Sequence, residues 1–101
     1  MQVAHKRLGT TLYIGLSGEL DECAAADVRT KLDIILEADC SRVIFDLADL
    51  RFMDSTGIGV LIGRYKKLKA RGIPVLLSAP TRSVDRVLSL TGIYDIMPKI
   101  G

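Results

Sequence analysis

Short apolar runs with two different periods alternate along the chain, and they predict strands and helices in turn. Every second position is apolar in residues 11–17, the period of a half-buried strand, and residues 3–7 predict a strand that precedes it. Residues 43–47 form a nearly continuous apolar run, which is typical of a central strand covered on both faces. Residues 74–78 and 93–100 predict two further strands.

Apolar positions spaced by three and four residues predict amphipathic helices between these strands. Residues 18–22 predict a loop that leads into the first helix, and residues 39–42 a polar break after it. The second helix ends near Gly72, and Ser83–Gly92 predicts a third helix with a serine cap and a glycine exit. The apolar positions are Ala25, Val28, Leu32, Ile35 and Leu36 in the first helix, and Ile58, Leu61, Ile62, Tyr65 and Leu68 in the second.

Strands that alternate with helices predict an α/β fold, and a length of 101 residues suits a single domain over residues 1–101. We expect a mixed, mostly parallel central sheet of about five strands that begins with an N-terminal antiparallel hairpin. Three to four helices flank this sheet. The hydrophobic fraction of 49% is enough to form a core without disulfide bonds.

The charges do not indicate a nucleic-acid partner. The formal net charge is only +2, and aromatic residues that could stack on bases are few. A basic run lies on the second helix, where such runs are most often solvent-facing, and we interpret it in that way. It consists of Arg64, Lys66, Lys67, Lys69 and Arg71.

The sequence also lacks the patterns of a metal site and of a membrane protein. Cys23 and Cys40 are far apart, and His5 is the only histidine, so a zinc site has too few ligands. We expect no metal and no cofactor. The polar N-terminus leads directly into a predicted strand, and no apolar run approaches the roughly 20 residues of a membrane span. These features favour reduced thiols and a cytoplasmic location.

The segment Asp54–Gly59 is the most informative part of the chain, because it places hydroxyl groups at the predicted start of a helix. Unpaired N–H groups and a partial positive charge make a helix N-terminus suitable for an anion, such as a seryl phosphate. From position alone, Ser55 is more often a helix cap than a modified residue. A nucleophilic serine would need a base, and His5 lies in a distant predicted strand, so we assign no catalytic residues.

Two further features of this region have alternative interpretations. Gly57 and Gly59 could belong to a nucleotide-binding loop, but the other residues of such a motif are absent around them. A nucleotide- or anion-binding module is therefore the weaker alternative. Glycine in the first helical turn would allow a partner or a neighbouring loop to approach the backbone closely. The acidic residues Glu19, Asp21 and Glu22 could cap the first helix or share a surface with Ser55.

Three motifs, in order along the chain, resemble those of the bacterial anti-sigma factor antagonists of the STAS domain family. They are Gly18–Asp21, Phe45–Gly59 with its Asp-Ser-Thr-Gly-Ile-Gly core, and Leu90–Ile93. Residues 63–66 are most similar to the sporulation branch, and the general stress-response branch is the alternative. The resemblance covers essentially the whole chain.

The resemblance implies a regulatory protein that binds an anti-sigma factor serine kinase and thereby releases a sigma factor. The kinase phosphorylates the serine after the motif aspartate, which is Ser55 here, and a phosphatase of the PP2C type restores binding. Thr56 stands where many members have a second serine. We expect a monomer in the free form, with no direct contact to nucleic acid or membrane. The expected partner-binding residues are Glu19, Asp21, Asp54, Ser55, Thr56, Gly57 and Ile58.

Overall fold

A five-stranded sheet forms the centre of the structure, a computed structural model that describes residues 1–101. The first two strands are antiparallel, and the second to the fifth are parallel. This arrangement confirms the predicted mixed, mostly parallel sheet with its N-terminal hairpin. The strands follow one another across the sheet in sequence order: β1 (Gln2–Leu8), β2 (Thr11–Leu20), β3 (Arg42–Met53), β4 (Val75–Ser78) and β5 (Lys99–Ile100).

Three helices connect the successive parallel strands: α1 (Glu22–Ile35), α2 (Ser55–Ala70) and α3 (Arg82–Thr91). A single 3₁₀ turn, Ile93–Asp95, follows α3, so the predicted three to four helices are confirmed. Each connection moves one strand further in the same direction, and right-handed connections of this kind place all the helices on one face of the sheet. Buried side chains from all three helices accordingly belong to one hydrophobic core.

The prediction that β3 is covered on both faces is wrong. Asp46 is exposed, and Ile44, although buried, lies outside the core cluster that holds Phe45 and Leu47. Ile44 pairs with Tyr13 on the neighbouring strand, on the face that carries no helix. Ile44 is therefore buried by its strand neighbours and not by a second layer of helices. This accounts for an apolar residue on the face of β3 that carries no helix.

Two strands extend further than their apolar patterns predicted. β2 continues to Leu20 through the segment predicted as a loop, and β3 continues to Met53 instead of ending at Leu47. Their mutual pairing explains both extensions. Two register shifts, each of which places one extra residue in β3, keep the strands paired through Leu20 and Met53. The last predicted strand is correspondingly short, since most of residues 93–100 form the 3₁₀ turn and its exit.

Arg64 is the exception within the predicted solvent-facing run, because only 7% of its surface is exposed. Its Nε lies 3.1 Å from Asp33 Oδ1 on α1, an ion-pair distance. The N–H direction misses the carboxylate, so Nε and Nη1 make no hydrogen bond within the protein. Lys67 shares the same carboxylate oxygen at 3.2 Å. The pair links α1 to α2 and gives the buried guanidinium a partner of opposite charge.

Candidate phosphorylation and docking site

The N-cap of α2, at the turn that follows β3, is Asp54 and not Ser55. Asp54 has extended backbone angles, and its Oδ1 accepts a hydrogen bond of 3.1 Å from the Gly57 N–H. Ser55 is the first residue of α2 and is exposed. The expectation that Ser55 is the cap is therefore wrong. Because the Asp54 carboxylate caps the helix, the Ser55 hydroxyl is not needed for capping and is available at the surface.

A close contact with β2 fixes this turn in place. The Asp54 N–H donates to Leu20 O at 3.4 Å. A Cβ atom at Gly57 would lie 2.8 Å from Leu20 O and 2.8 Å from Met53 Cγ, which is too close for any side chain. The absence of a side chain at Gly57 thus allows the end of β2 to pack closely against the first turn of α2. At Gly59, by contrast, a Cβ atom would meet nothing within 4 Å.

The junction between β2 and α1 repeats the same construction beside the first. Asp21 caps α1, and its Oδ1 accepts a hydrogen bond of 3.0 Å from the Ala24 N–H. Leu20 and Met53 are register partners, so Asp21 and Asp54 each follow directly on neighbouring strand ends. The structure therefore agrees with both interpretations of the acidic segment: Asp21 caps α1, and the segment lies at the same edge of the sheet as Ser55. We refer to this edge, formed by the carboxyl ends of β2, β3 and β4, as the docking edge.

The remaining predicted site residues are distributed around the docking edge. Glu19 is exposed at the end of β2, and Thr56 is half-buried next to Ser55. Ile58, expected among the partner-binding residues, has only 7% of its surface exposed and belongs to the core. Phe52, the register partner of Glu19, is instead the exposed apolar residue here, at 45%. Sequence reasoning missed it because it lies in the extension of β3.

The N-terminus of α3 forms a third part of the docking edge. Thr81 occupies the capping position without capping the helix, since its Oγ1 donates to Leu50 O at 2.9 Å. Ser83, the predicted cap, lies inside the helix and donates to Arg51 O at 3.1 Å. The serine-cap prediction is wrong because both hydroxyls bind carbonyl groups of β3. These bonds hold α3 against the strand that leads to Ser55.

Asp85, the acidic residue in the first turn of α3, is hydrogen-bonded to the segment that follows the helix. The Tyr94 hydroxyl donates to Asp85 Oδ1 at 2.6 Å, and Lys99 Nζ donates to the same atom at 3.1 Å. These two bonds, that of Tyr94 foremost, hold the pKa of Asp85 below its usual range. Burial, followed by the bond to Asp85, raises the pKa of Tyr94. Asp85 therefore makes no ion pair with the arginines of α3.

Nothing at the docking edge resembles a hydrolytic or metal centre. His5 lies in the edge strand β1, where it pairs with Ile14 of β2, away from the turn that carries Ser55. Cys23 is exposed and Cys40 half-buried, both as free thiols. No group of three metal-ligating side chains occurs, and none of the helices has the length and apolarity needed to cross a membrane. What the site offers is an exposed hydroxyl between charged, rigidly held helix ends.

Loss of the Asp54 cap separates the structural role of this carboxylate from its charge. We expect Asp54→Ala to lower the free energy of unfolding by about 1 kcal/mol, because the Gly57 N–H loses its acceptor. Asp54→Asn retains an acceptor oxygen and is expected to remain within a few tenths of a kcal/mol of the wild type. Urea denaturation followed by circular dichroism measures both. Equal losses for alanine and asparagine would contradict the capping role.

The sequence matches the STAS domain family over residues 2–101, and the chain belongs to that family. Among its relatives is the anti-sigma F factor antagonist of Paenibacillus polymyxa, 34% identical over 99 residues, which cover 97% of this chain and 85% of the relative. The anti-sigma-B factor antagonist of Bacillus subtilis is 33% identical over 86 residues, which cover 85% and 78%.

Solved structures show the same architecture. The anti-sigma factor antagonist SpoIIAA in its unphosphorylated form superposes with a TM-score of 0.81 at 28% identity, covering 99% of this chain and 89% of that one. The phosphorylated form of SpoIIAA from Bacillus gives a TM-score of 0.73 at 27% identity, covering 99% and 92%. Both states of that protein therefore retain the fold described here.

Proposed function

We propose that this protein is an anti-sigma factor antagonist whose unphosphorylated form binds an anti-sigma factor serine kinase and so releases a sigma factor. The single observation that carries the proposal is the exposed Ser55 at the first position of α2, with its capping function taken over by Asp54. The relatives that are named antagonists, and a structural neighbour known in phosphorylated and unphosphorylated forms, support it.

The local structure is suited to carrying a phosphate without refolding. A phosphate on Ser55 would add roughly −1.5 to −2 charges at the N-terminus of a 16-residue helix, where the partial positive charge favours an anion. The contacts that define the turn come from Asp54 and Gly57, so they do not depend on the serine hydroxyl. Phosphorylation thereby changes the charge of the docking edge and leaves its shape in place.

The other residues of the docking edge receive roles according to their placement. Glu19 and Asp21 offer carboxylates to the kinase, and Asp21 also fixes the start of α1. Thr56 contributes to the rim of the site, and Phe52 supplies the exposed apolar contact. Ile58 and Gly57 act from beneath, since both are buried under the turn. A phosphatase of the PP2C type resets the switch, and the free antagonist acts as a cytoplasmic monomer.

The proposed role is that of an anti-sigma factor antagonist in general and does not specify which sigma factor is released. Relatives from two systems, the sigma F and sigma B antagonists, match at 34% and 33% identity, a difference too small to choose between them. The residues that form the docking edge lie within the region that both relatives cover. The proposed chemistry is therefore the same for the sporulation and the general stress-response alternatives.

Incubation with the cognate kinase and ATP is expected to place a single phosphate on Ser55. Peptide mass spectrometry identifies the position, and Ser55→Ala should abolish the modification while leaving kinase binding in place. Thr56→Ala is the matched control for the acceptor position, because it removes the neighbouring hydroxyl, which is half-buried, and the phosphate should still be found on Ser55. Stoichiometric phosphate on any other residue would overturn the proposal.

A further inference from the structure

A cationic groove lies at the α3 end of the docking edge. It has a volume of about 470 Å³, and no apolar residue lines it. Arg82 and Arg86 are exposed, and neither takes part in any ion pair within the protein. The remaining lining residues are Thr81 and Ser83, whose hydroxyls are held by β3. The groove therefore presents two unpaired guanidinium groups on a fixed support.

Hydrogen bonds attach this groove to the strand that carries the switch. Thr81 and Ser83 bind the carbonyl groups of Leu50 and Arg51, close to the end of β3. Arg51 and the Asp54 cap are separated by two residues of extended strand, a distance of about 10 Å along the chain. The groove and Ser55 therefore belong to one continuous surface.

The opposite end of the docking edge carries the opposite charge. Glu19, Asp21 and Glu22 cluster where β2 meets α1. Ser55 lies at the start of α2, just after the end of β3, the strand between the two groups. Strand order alone produces this pattern, because the ends of β2, β3 and β4 are neighbours. A partner that covers the edge therefore meets negative charge on one side of Ser55 and positive charge on the other.

We propose that Arg82 and Arg86 receive acidic side chains of the anti-sigma factor kinase and set its orientation over Ser55. This inference rests on the proposed function. Guanidinium groups bind carboxylates through paired hydrogen bonds, and complementary charge at the margin of an interface raises the association rate. A nucleic acid fits less well, since the carboxylates on the same edge repel a phosphate backbone and the groove offers no aromatic side chain for stacking.

The test compares two double variants that remove the same total charge. Arg82→Ala with Arg86→Ala empties the groove, whereas Arg7→Ala with Lys66→Ala removes two exposed cations away from the docking edge. Surface plasmon resonance against the purified cognate kinase, at low and high salt, gives the rate constants. We expect the groove variant to lose about tenfold in affinity, mainly through slower association, and to show a weaker salt dependence. The control variant should bind like the wild type.

Further arms separate the possible failures. If the wild type binds the kinase and the groove variant binds with the same rates and salt dependence, the inference is overturned and the proposed function stands. If the wild type does not bind the kinase at all, both are overturned. Arg82→Gln with Arg86→Gln, which retains the side chains as far as Cδ and removes their charge, repeats the test should the alanine variant unfold. Arginine-dependent binding of a single-stranded oligonucleotide by the wild type, with unchanged kinase binding by the groove variant, would also overturn it.

Discussion

Phosphorylation of Ser55 is expected to weaken binding to the anti-sigma factor kinase about a hundredfold. The added phosphate stands beside Asp54 and on the same edge as Glu19 and Asp21, so a kinase surface that accepts a neutral hydroxyl meets a strongly anionic one. One like-charge pair about 6 Å apart, at an effective dielectric constant of about 20, costs roughly 3 kcal/mol. Local charge is therefore enough to end the interaction, and no long-range conformational change is required.

Two substitutions at Ser55 isolate the charge from the size of the side chain. Ser55→Asp should reduce affinity for the kinase by about tenfold or more, less than the phosphate does, because it carries one charge instead of nearly two. Ser55→Asn has nearly the same shape without the charge and should bind far more tightly than the aspartate variant. Titration calorimetry against the kinase measures both. Equal weakening by asparagine and aspartate would show that volume, not charge, controls docking.

Gly57→Ala is expected to damage both the fold and the site. The new Cβ atom would lie 2.8 Å from Leu20 O and from Met53 Cγ, so the end of β2 and the first turn of α2 must separate. Overpacking of this kind costs about 1–3 kcal/mol, which exceeds the gain of about 1 kcal/mol that alanine brings to a helix. We therefore expect a lower free energy of unfolding and slower phosphorylation of Ser55.

Gly59→Ala is the matched control for that substitution. It lies two residues further along the same helix, is exposed, and its Cβ atom would meet nothing within 4 Å. Its expected effect has the opposite sign, a gain of up to about 1 kcal/mol from helix propensity. Urea denaturation of the two variants side by side decides the matter. A Gly57→Ala variant as stable as Gly59→Ala would show that the junction tolerates a wider spacing.

The sequence predicted the features that depend on local periodicity. The alternation in residues 11–17, the three- and four-residue spacing in both long helices, and the order of strands and helices all correspond to the structure. The clustering of Asp21 with Ser55 was also predictable, because the carboxyl ends of adjacent parallel strands meet at one edge. These features follow from neighbours in the chain or from general rules of topology.

The features that sequence reasoning missed depend on partners that are distant in the chain. The extension of β3 to Met53 comes from pairing with β2, and the burial of Arg64 depends on Asp33 across the helix interface. The predicted cap Ser83 instead lies inside α3, and its hydroxyl binds a carbonyl of β3. The burial of Ile58, by contrast, agrees with its predicted place on the apolar face of the second helix.

The register match between Leu20 and Met53 has a thermodynamic consequence for recognition. Because both strand ends stop at the same level and each is followed by its own aspartate, the two helix starts are held as one preassembled template. A protein that touches both does not have to freeze a loop before it can engage, so the entropic penalty of association is small on this side. Any slow structural adjustment during complex formation should accordingly be sought in the kinase.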